Sequence, residues 1–275
     1  MGAGRSHAST KSAVKVVETS SVPVPIPKKQ TRLFHEVLAL FESEHIHYAV
    51  AGAFALREHT GICRETKDLD LVLTPDSGRA ALACLRRHGF EYEIADPVWL
   101  YKAHRDSFFV DLILGMSNAV LMVDDSWIER ASPAVIQEVE TRVLAAEELL
   151  ASKLFVTRRE RFDGADIAHI IYRKRGKLDW DRVLSLIGSN WEILFWALVL
   201  FRYVYPAQTM YVPETVWSQL IARFHDAVFH PAPGAKFRGS LIDDKMFAID
   251  VKDWGLENLL DDFRSRHLQT VPAIL

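Results

Sequence analysis

Apolar residues recur every three or four positions in several stretches of the chain, a period typical of amphipathic helices. The first such stretch covers residues 32–44. Most of the others lie in the second half, at residues 145–157, 165–173, 180–186, 191–205, 216–227 and 256–266. Shorter helices are predicted at residues 53–58 and 79–88, and Gly89 suits the C-terminus of the second one.

Short runs of strand-favouring residues lie mainly in the first half, at residues 69–73, 90–94, 98–104 and 108–114. Residues 74–78, Thr-Pro-Asp-Ser-Gly, predict a turn or the start of a helix. Farther on, a loop is predicted at residues 236–244 and a strand at residues 246–251. The pattern therefore predicts an α/β first half and a mostly helical second half.

Residues 1–30 show neither period. They are rich in Ser, Thr, Pro and Lys, and the alternating prolines of residues 22–27 block a helix and disfavour a central strand. We therefore expect a flexible leader at residues 1–30, an α/β core at residues 31–144 and a mainly helical C-terminal region at residues 145–275.

Composition narrows the class of protein. The 275 residues are 49% apolar and 25% charged, with a formal net charge of −3, which is ordinary for a globular protein and disfavours a globally basic nucleic-acid binder. The two cysteines lack the paired spacing of a disulfide framework or zinc site. The apolar run at residues 193–204 contains Arg202 and is too short to span a bilayer. We expect a cytoplasmic protein with no membrane partner.

Three aspartates carry the candidate chemistry. Asp68 and Asp70 are two residues apart in a predicted strand and so point to the same face. Their carboxylates repel each other unless a cation lies between them, and Mg²⁺ prefers such oxygen ligands. Asp111 is a single charge inside an apolar strand, which is costly unless it is paired or binds a metal. Taken alone, an Asp-x-Asp pair is more often a solvent-facing pair on an edge strand.

The neighbouring residues favour a phosphate ligand. Gly52 and Ala53 end an apolar run and open a predicted helix, where backbone N–H groups can approach an anion. Arg64 and Thr66 precede Asp68 in the sequence Arg-x-Thr-x-Asp-Leu-Asp.

This combination resembles the minimal nucleotidyltransferase fold of the DNA polymerase β-like superfamily. Over residues 31–175 it is most similar to the bacterial branch that includes uncharacterised nucleotidyltransferase-domain proteins and toxins of the AbiEii type. The resemblance implies an α/β (α+β) fold with a mixed β-sheet flanked by helices, followed by a mostly helical region. It also implies Mg²⁺-dependent transfer of a nucleoside monophosphate from an NTP to an acceptor hydroxyl, with release of pyrophosphate.

The resemblance assigns roles to the aspartates and to the phosphate-binding residues. Asp68 and Asp70 hold Mg²⁺ against the triphosphate, and Asp111 binds a second ion or takes the proton from the acceptor. Gly52 and Ala53 cradle a phosphate. Because the family has Gly or Ser where this chain has Ala53, we expect that contact to be weakened.

Further residues are expected to support these roles. Lys153 and Arg64 add positive charge, and Thr66 orients the Asp strand. A lysine in an apolar helix is otherwise expected to extend to the surface, and Asp163 is expected to cap the following helix. His59 is expected to lie in a loop, with a position at the mouth of the site as the alternative.

The acceptor and even catalysis stay open. A cluster of basic residues within 153–177 fits RNA, whereas the negative net charge fits a cationic small molecule such as an aminoglycoside, and a protein acceptor is the third option. The alternative to an enzyme is a non-catalytic nucleotide-binding or regulatory module, antitoxin-like or degenerate, which Ala53 favours and the three carboxylates disfavour.

Overall fold

The computed structural model describes residues 27–105 and 108–268, and a seven-stranded mixed sheet lies at its centre. The strands are β1 (Ala49–Val50), β2 (Asp68–Val72), β3 (Glu91–Asp96), β4 (Leu100–Arg105), β5 (Phe108–Ile113), β6 (Ser132–Ile136) and β7 (Val139–Val143). Their order across the sheet is β3-β4-β5-β2-β1-β7-β6. β2 is parallel to β5 and β1 is parallel to β7, while the other neighbours are antiparallel.

Helices flank the sheet and form most of the second half. They are α1 (Lys28–Ser43), α2 (Gly52–Thr60), α3 (Pro75–Arg87), α4 (Asp125–Glu129), α5 (Ala146–Leu154), α6 (Gly164–Lys174), α7 (Trp180–Ile187), α8 (Trp191–Val204), α9 (Glu214–Phe229), α10 (Gly239–Ile242), α11 (Ala248–Lys252) and α12 (Leu259–Arg266). A small hairpin, β8 (Thr157–Arg158) and β9 (Arg161–Phe162), separates α5 from α6. The predicted fold class is confirmed.

The predicted turn at residues 74–78 is the start of α3. Thr74 is the N-cap, its hydroxyl accepts the backbone N–H of Ser77, and Pro75 occupies the first helical position. The helix ends before Gly89, whose φ of +73° suits a residue without a Cβ. Local sequence therefore determines both ends of this helix.

One buried apolar cluster joins the sheet to the C-terminal helices. It contains Phe34 of α1, Leu71 of β2, Ile170 of α6 and Leu198 of α8. α6 packs against α2, α5 and α8. The division of the chain into a core and a C-terminal region at residue 145 stays a prediction.

The helical stretch Trp180–Val204 is long and apolar enough, by length and composition, to cross a membrane. Within it, Gly188 adopts a φ of +53° and begins a single 3₁₀ turn that separates α7 from α8. Val183 and Leu198, on either side of that turn, are both fully buried in the apolar cluster. The stretch therefore contributes to the same core as the sheet.

Three predicted boundaries need correction. α1 begins at Lys28, so residues 28–30 belong to the fold and not to the leader, whose residues 1–26 lie outside the described part of the chain. Buried Gln30 donates to the Thr66 carbonyl at 3.0 Å, which fixes this first turn. α5 ends at Leu154 because residues 157–158 enter the small hairpin. The predicted loop at 236–244 contains α10.

The strand predicted at residues 246–251 is wrong, because the segment forms α11. Asp243 Oδ1 accepts the backbone N–H groups of Lys245 and Met246, each at 3.0 Å, and turns the chain toward the helix. Strands β6 and β7 were not predicted. The turn between them is made by Gln137 and Glu138, both with positive φ, instead of the Asn and Gly that signal such turns.

Candidate active site

The structure brings the three predicted carboxylates together. Asp70 of β2 lies directly opposite Asp111 of the parallel neighbour β5, and Asp68 shares the Asp70 face. Carboxylate oxygens of Asp68, Asp70 and Asp111 all lie within 4.8 Å of one another. Their convergence follows from strand register and requires no special loop.

The cluster is electrostatically strained by its own charges. Desolvation, and then the charges of Asp68 and Asp111, raise the pKa of Asp70 to about 7. Desolvation also raises the pKa of Asp111, while Lys102 opposes this shift. Adjacent carboxylates that resist ionisation in this way are stabilised by a bound cation.

Lys102 is a member of the site that sequence reasoning missed. Its Nζ donates to Asp111 Oδ1 at 2.8 Å and lies 4.3 Å from the centre of the Phe109 ring. Lys102 of β4 stands opposite Asp111 in the antiparallel pairing of β4 with β5. Pairing those two strands in register would have identified this contact. Asp111 is therefore partly neutralised by its own sheet.

Gly52 leaves room for Asp70. Its φ is +55°, and a Cβ built at this position would lie 1.7 Å from Asp70 Oδ2. The preceding residue, Ala51, donates its N–H to the Asp70 carbonyl at 2.8 Å. The N-terminus of α2, with Gly52 and Ala53 in its first turn, thus lies beside the carboxylates, where its free N–H groups can meet an anion.

Thr66 contacts the Asp strand as expected. Its hydroxyl lies 2.9 Å from the Asp68 carbonyl oxygen and 3.0 Å from Asp68 Oδ1, and can donate to either. Arg64 instead forms an ion pair with Asp166 of α6. The predicted contacts of Arg64 and Thr66 with a nucleotide stay predictions.

Lys153 does not extend to the surface, so that expectation is wrong. It is buried, and its Nζ pairs with Asp163 at 2.8 Å and with Asp166 at 2.7 Å. Asp163 occupies the N-cap position of α6, but its side chain makes no capping hydrogen bond. Burial opposes ionisation, yet hydrogen bonds from Arg161 and Lys153 hold the pKa of Asp163 below its usual value. The predicted capping role is therefore replaced by ion pairing.

Arg161 is the second member of the site that the sequence analysis did not single out. It lies in β9, its Nε donates to Asp163 Oδ1 at 3.1 Å, and its side chain is 69% exposed. The charges of Arg161 and Lys153 both act to lower the pKa of Asp70. The basic run was the available signal, but it did not distinguish Arg161 from its neighbours.

Two other groups lie apart from the triad. His59 is in α2, so the predicted loop position is wrong, and its Nε2 is 2.7 Å from the Leu144 carbonyl oxygen. Glu44, Cys84 and His88 also converge, which their spacing did not reveal. There Arg87 already neutralises Glu44 at 2.8 Å.

A mixed sheet with three convergent carboxylates on neighbouring strands, next to a helix opened by glycine, is the arrangement of a nucleotidyltransferase. The chain belongs to the family described as uncharacterised nucleotidyltransferase, whose model matches residues 28–196. The predicted superfamily and enzyme class are thereby confirmed, whereas the likeness to AbiEii-type toxins stays a prediction. None of the curated proteins compared with the chain matches it.

Several solved structures are distantly similar to this chain. The lincomycin-bound lincosamide antibiotic adenylyltransferase LnuA is 18% identical, over 53% of this chain and 96% of its own, with a TM-score of 0.38. ANT(2")-Ia in complex with adenylyl-2"-tobramycin is 15% identical, over 64% of this chain and 99% of its own, with a TM-score of 0.40. An antigenic nucleotidyltransferase-like protein from Paracoccidioides brasiliensis is 19% identical, over 68% of this chain and 94% of its own, with a TM-score of 0.41. Likenesses this distant carry no argument about the acceptor.

Proposed function

We propose that this protein transfers a nucleoside monophosphate from an NTP to an acceptor hydroxyl, with Mg²⁺ bound by Asp68, Asp70 and Asp111. The observation that carries the proposal is the convergence of these carboxylates within 4.8 Å on two parallel strands. Membership of the nucleotidyltransferase family supports the reaction class. We further propose a cytoplasmic location and no membrane partner.

The donor set fits magnesium. All three side chains offer hard oxygen ligands from rigid strands. Desolvation, and then the charges of Asp68 and Asp111, raise the pKa of Asp70 to about 7, and a bound cation would offset both effects. We propose that Asp68 and Asp70 hold one ion and that Asp111 completes the site for a second. When bound, Mg²⁺ would offset the charge of the triphosphate and of the departing pyrophosphate.

Asp111 is suited to receive the acceptor proton. Lys102 occupies its Oδ1, which leaves Oδ2 for a further partner. In the metal-free protein, desolvation raises the pKa of Asp111, which favours proton uptake at this carboxylate. In the proposed step the acceptor oxygen bonds to the α-phosphorus, its proton passes to Asp111, and the bond from phosphorus to pyrophosphate breaks. The alternative role for Asp111 is that of a metal ligand alone.

The phosphates would lie between the start of α2 and the hairpin. Gly52 and Ala53 present backbone N–H groups on one side. Arg161, with its exposed guanidinium, offers positive charge on the other. Lys153 pairs with Asp163 and Asp166, and it shares Asp163 with Arg161. Arg64 joins the same cluster through Asp166.

The test is label transfer from each α-³²P NTP, with Mg²⁺, to three acceptor pools: total RNA, a protein extract and an aminoglycoside panel. Asp70→Asn and Asp111→Asn are the test variants. Asp226→Asn is the control, because Asp226 of α9 is exposed and contacts His230, the residue after the helix. Transfer to one pool that both test variants lose and the control keeps would support the proposal and identify the acceptor class.

The same samples address the non-catalytic alternative. Titration of each NTP with Mg²⁺ by calorimetry measures binding without turnover. Metal-dependent binding in the absence of transfer to any pool would favour a regulatory module. Transfer that survives in both carboxylate variants would contradict the proposed site.

A further inference from the structure

We infer that residues 239–266, named here the C-terminal brace, hold the β8–β9 hairpin so that Arg161 faces the triphosphate, with Asp243 as the positioning residue. This inference rests on the proposed function. It assigns part of the nucleotide site to a segment that contains none of the carboxylates, and it names a side chain, Asp243, that never touches the substrate.

Asp243 connects the brace to the hairpin. It is buried, and its Oδ2 accepts the backbone N–H of Arg159, in the hairpin turn, at 3.1 Å. Its Oδ1 accepts the N–H groups of Lys245 and Met246 within the brace. The two oxygens therefore have separate tasks: one folds the brace and the other holds the hairpin.

The brace also forms hydrogen bonds with the loop that follows β5. Asn118 donates from Nδ2 to the Leu241 carbonyl at 2.9 Å, in a buried contact. Arg264 donates to the Ser117 carbonyl at 2.9 Å and to both oxygens of Asp96, at 3.0 and 2.8 Å. The brace is thus held near its start by the loop after β5, and near its end by that loop and by Asp96 of β3.

The hairpin contacts the same loop. Arg158 donates to the Ser117 hydroxyl oxygen at 2.6 Å, so Ser117 joins the hairpin and the brace. A hairpin with two residues in each strand is too short to be stable by itself. Its position therefore depends on external contacts such as those from Ser117 and Asp243.

Ion pairs connect the hairpin to the segment before β2, the strand that bears Asp68 and Asp70. Arg161 donates to Asp163, and Lys153 joins Asp163 to Asp166. Asp166 in turn pairs with Arg64, in the segment that leads into β2. A displaced hairpin would move the Arg161 charge away from the place where the triphosphate binds.

Asp243→Asn is the sharpest test. The variant has the same shape, and its amide oxygen keeps the bonds to Lys245 and Met246. Its NH₂ group then faces the Arg159 N–H, and two donors repel each other. Asp244→Asn is the matched control, since the neighbouring Asp244 is exposed.

The readout is the Kd for the NTP that the unmodified protein binds most tightly, with Mg²⁺, and for the matching NMP. We expect Asp243→Asn to raise the NTP Kd about tenfold and the NMP Kd less than about threefold, because Arg161 acts on the charge of the outer phosphates. Amide hydrogen exchange at residues 157–162 should rise in the same variant. Asp244→Asn should change neither quantity.

A double variant with Asp243→Asn and Arg161→Ala tests whether Asp243 acts through Arg161. If Asp243 acts through Arg161, then Asp243→Asn changes the NTP Kd less than about twofold once Arg161 is gone. Independent effects that multiply would overturn the inference. So would equal weakening of NTP and NMP binding, which is the mark of a general structural defect.

Arg264→Gln provides a second variant that releases the other end of the brace, should Asp243→Asn fold poorly. It should reproduce the selective loss of NTP affinity. Two failures are distinguishable. If the unmodified protein binds no NTP, the proposed function and this inference both fall, whereas normal NTP affinity in both brace variants overturns the inference alone.

Discussion

The two sides of the candidate site are built by different means. Asp68, Asp70 and Asp111 are placed by the backbone ladder between β2 and β5. Arg161 and Lys153 are placed by side-chain ion pairs among a small hairpin and two helices. The three aspartates, named here the sheet side, are therefore as rigid as the sheet. The two cations, named here the cation side, depend on contacts that single substitutions can remove.

The largest expected effect comes from the sheet side. Asp70→Asn should lower turnover by about 10³-fold or more, because it removes a central metal ligand. Its melting temperature without Mg²⁺ should stay the same or rise, since the substitution removes the desolvation cost of the Asp70 charge and its repulsion from Asp68 and Asp111. Label transfer and thermal melts of the same samples measure both. A marked fall in melting temperature would contradict this view of the triad.

Gly52→Ala tests how closely the helix and the sheet approach. The new methyl group would occupy the position of Asp70 Oδ2, and the φ of +55° is itself unfavourable for alanine. We expect about a 10²-fold loss of turnover and about 1–3 kcal/mol of lost stability. Gly89→Ala is the control, because its φ is similar but nothing lies within 4 Å of the added Cβ. The control should keep its turnover.

Lys153→Met tests the cation side. It leaves buried Asp163 and Asp166 without a central partner, which should cost about 3 kcal/mol. Urea unfolding measures this loss. Lys177→Met, at an exposed position, is the comparison and should change stability little. Equal losses in the two variants would show that the Lys153 ion pairs contribute nothing to the fold.

The last prediction concerns the pH dependence of stability. The pKa of Asp70 is raised in the folded protein to about 7, above the value of about 3.9 in an unfolded chain. The folded state thus holds the proton more tightly, and the contribution of Asp70 to stability is lost as pH rises from about 4 through 7. Without Mg²⁺, the stability of Asp70→Asn relative to the unmodified protein should increase as pH rises through this range. Above about pH 7 the difference should stay constant. A difference that is constant with pH would refute the shift.

The sheet side was also the more predictable from sequence. Two aspartates two residues apart, a lone aspartate in an apolar strand and a glycine before a helix are local signals, and strand register alone turns them into a cluster. Lys102 needed one further step, the pairing of β4 with β5. These residues depend on periodicities that a sequence displays.

The cation side was not predictable in the same way. The burial of Lys153 depends on Asp163 and Asp166 reaching it from another helix, which no local pattern indicates. Arg161 resembles its basic neighbours until the hairpin is seen. Likewise, residues 246–251 have a strand-like composition, but the Asp243 side chain turns the chain into α11. Long-range side-chain contacts override the local preference in each case.

The contacts of Asp243 and Arg264 bear on where the working protein ends. The family match stops at residue 196, and a protein shortened to that point would retain Asp68, Asp70 and Asp111. It would lack the groups that hold Arg159 and Ser117 in place. The segment that the family model matches is therefore shorter than the unit held together by these hydrogen bonds, so an expression or fusion boundary should lie beyond Arg264.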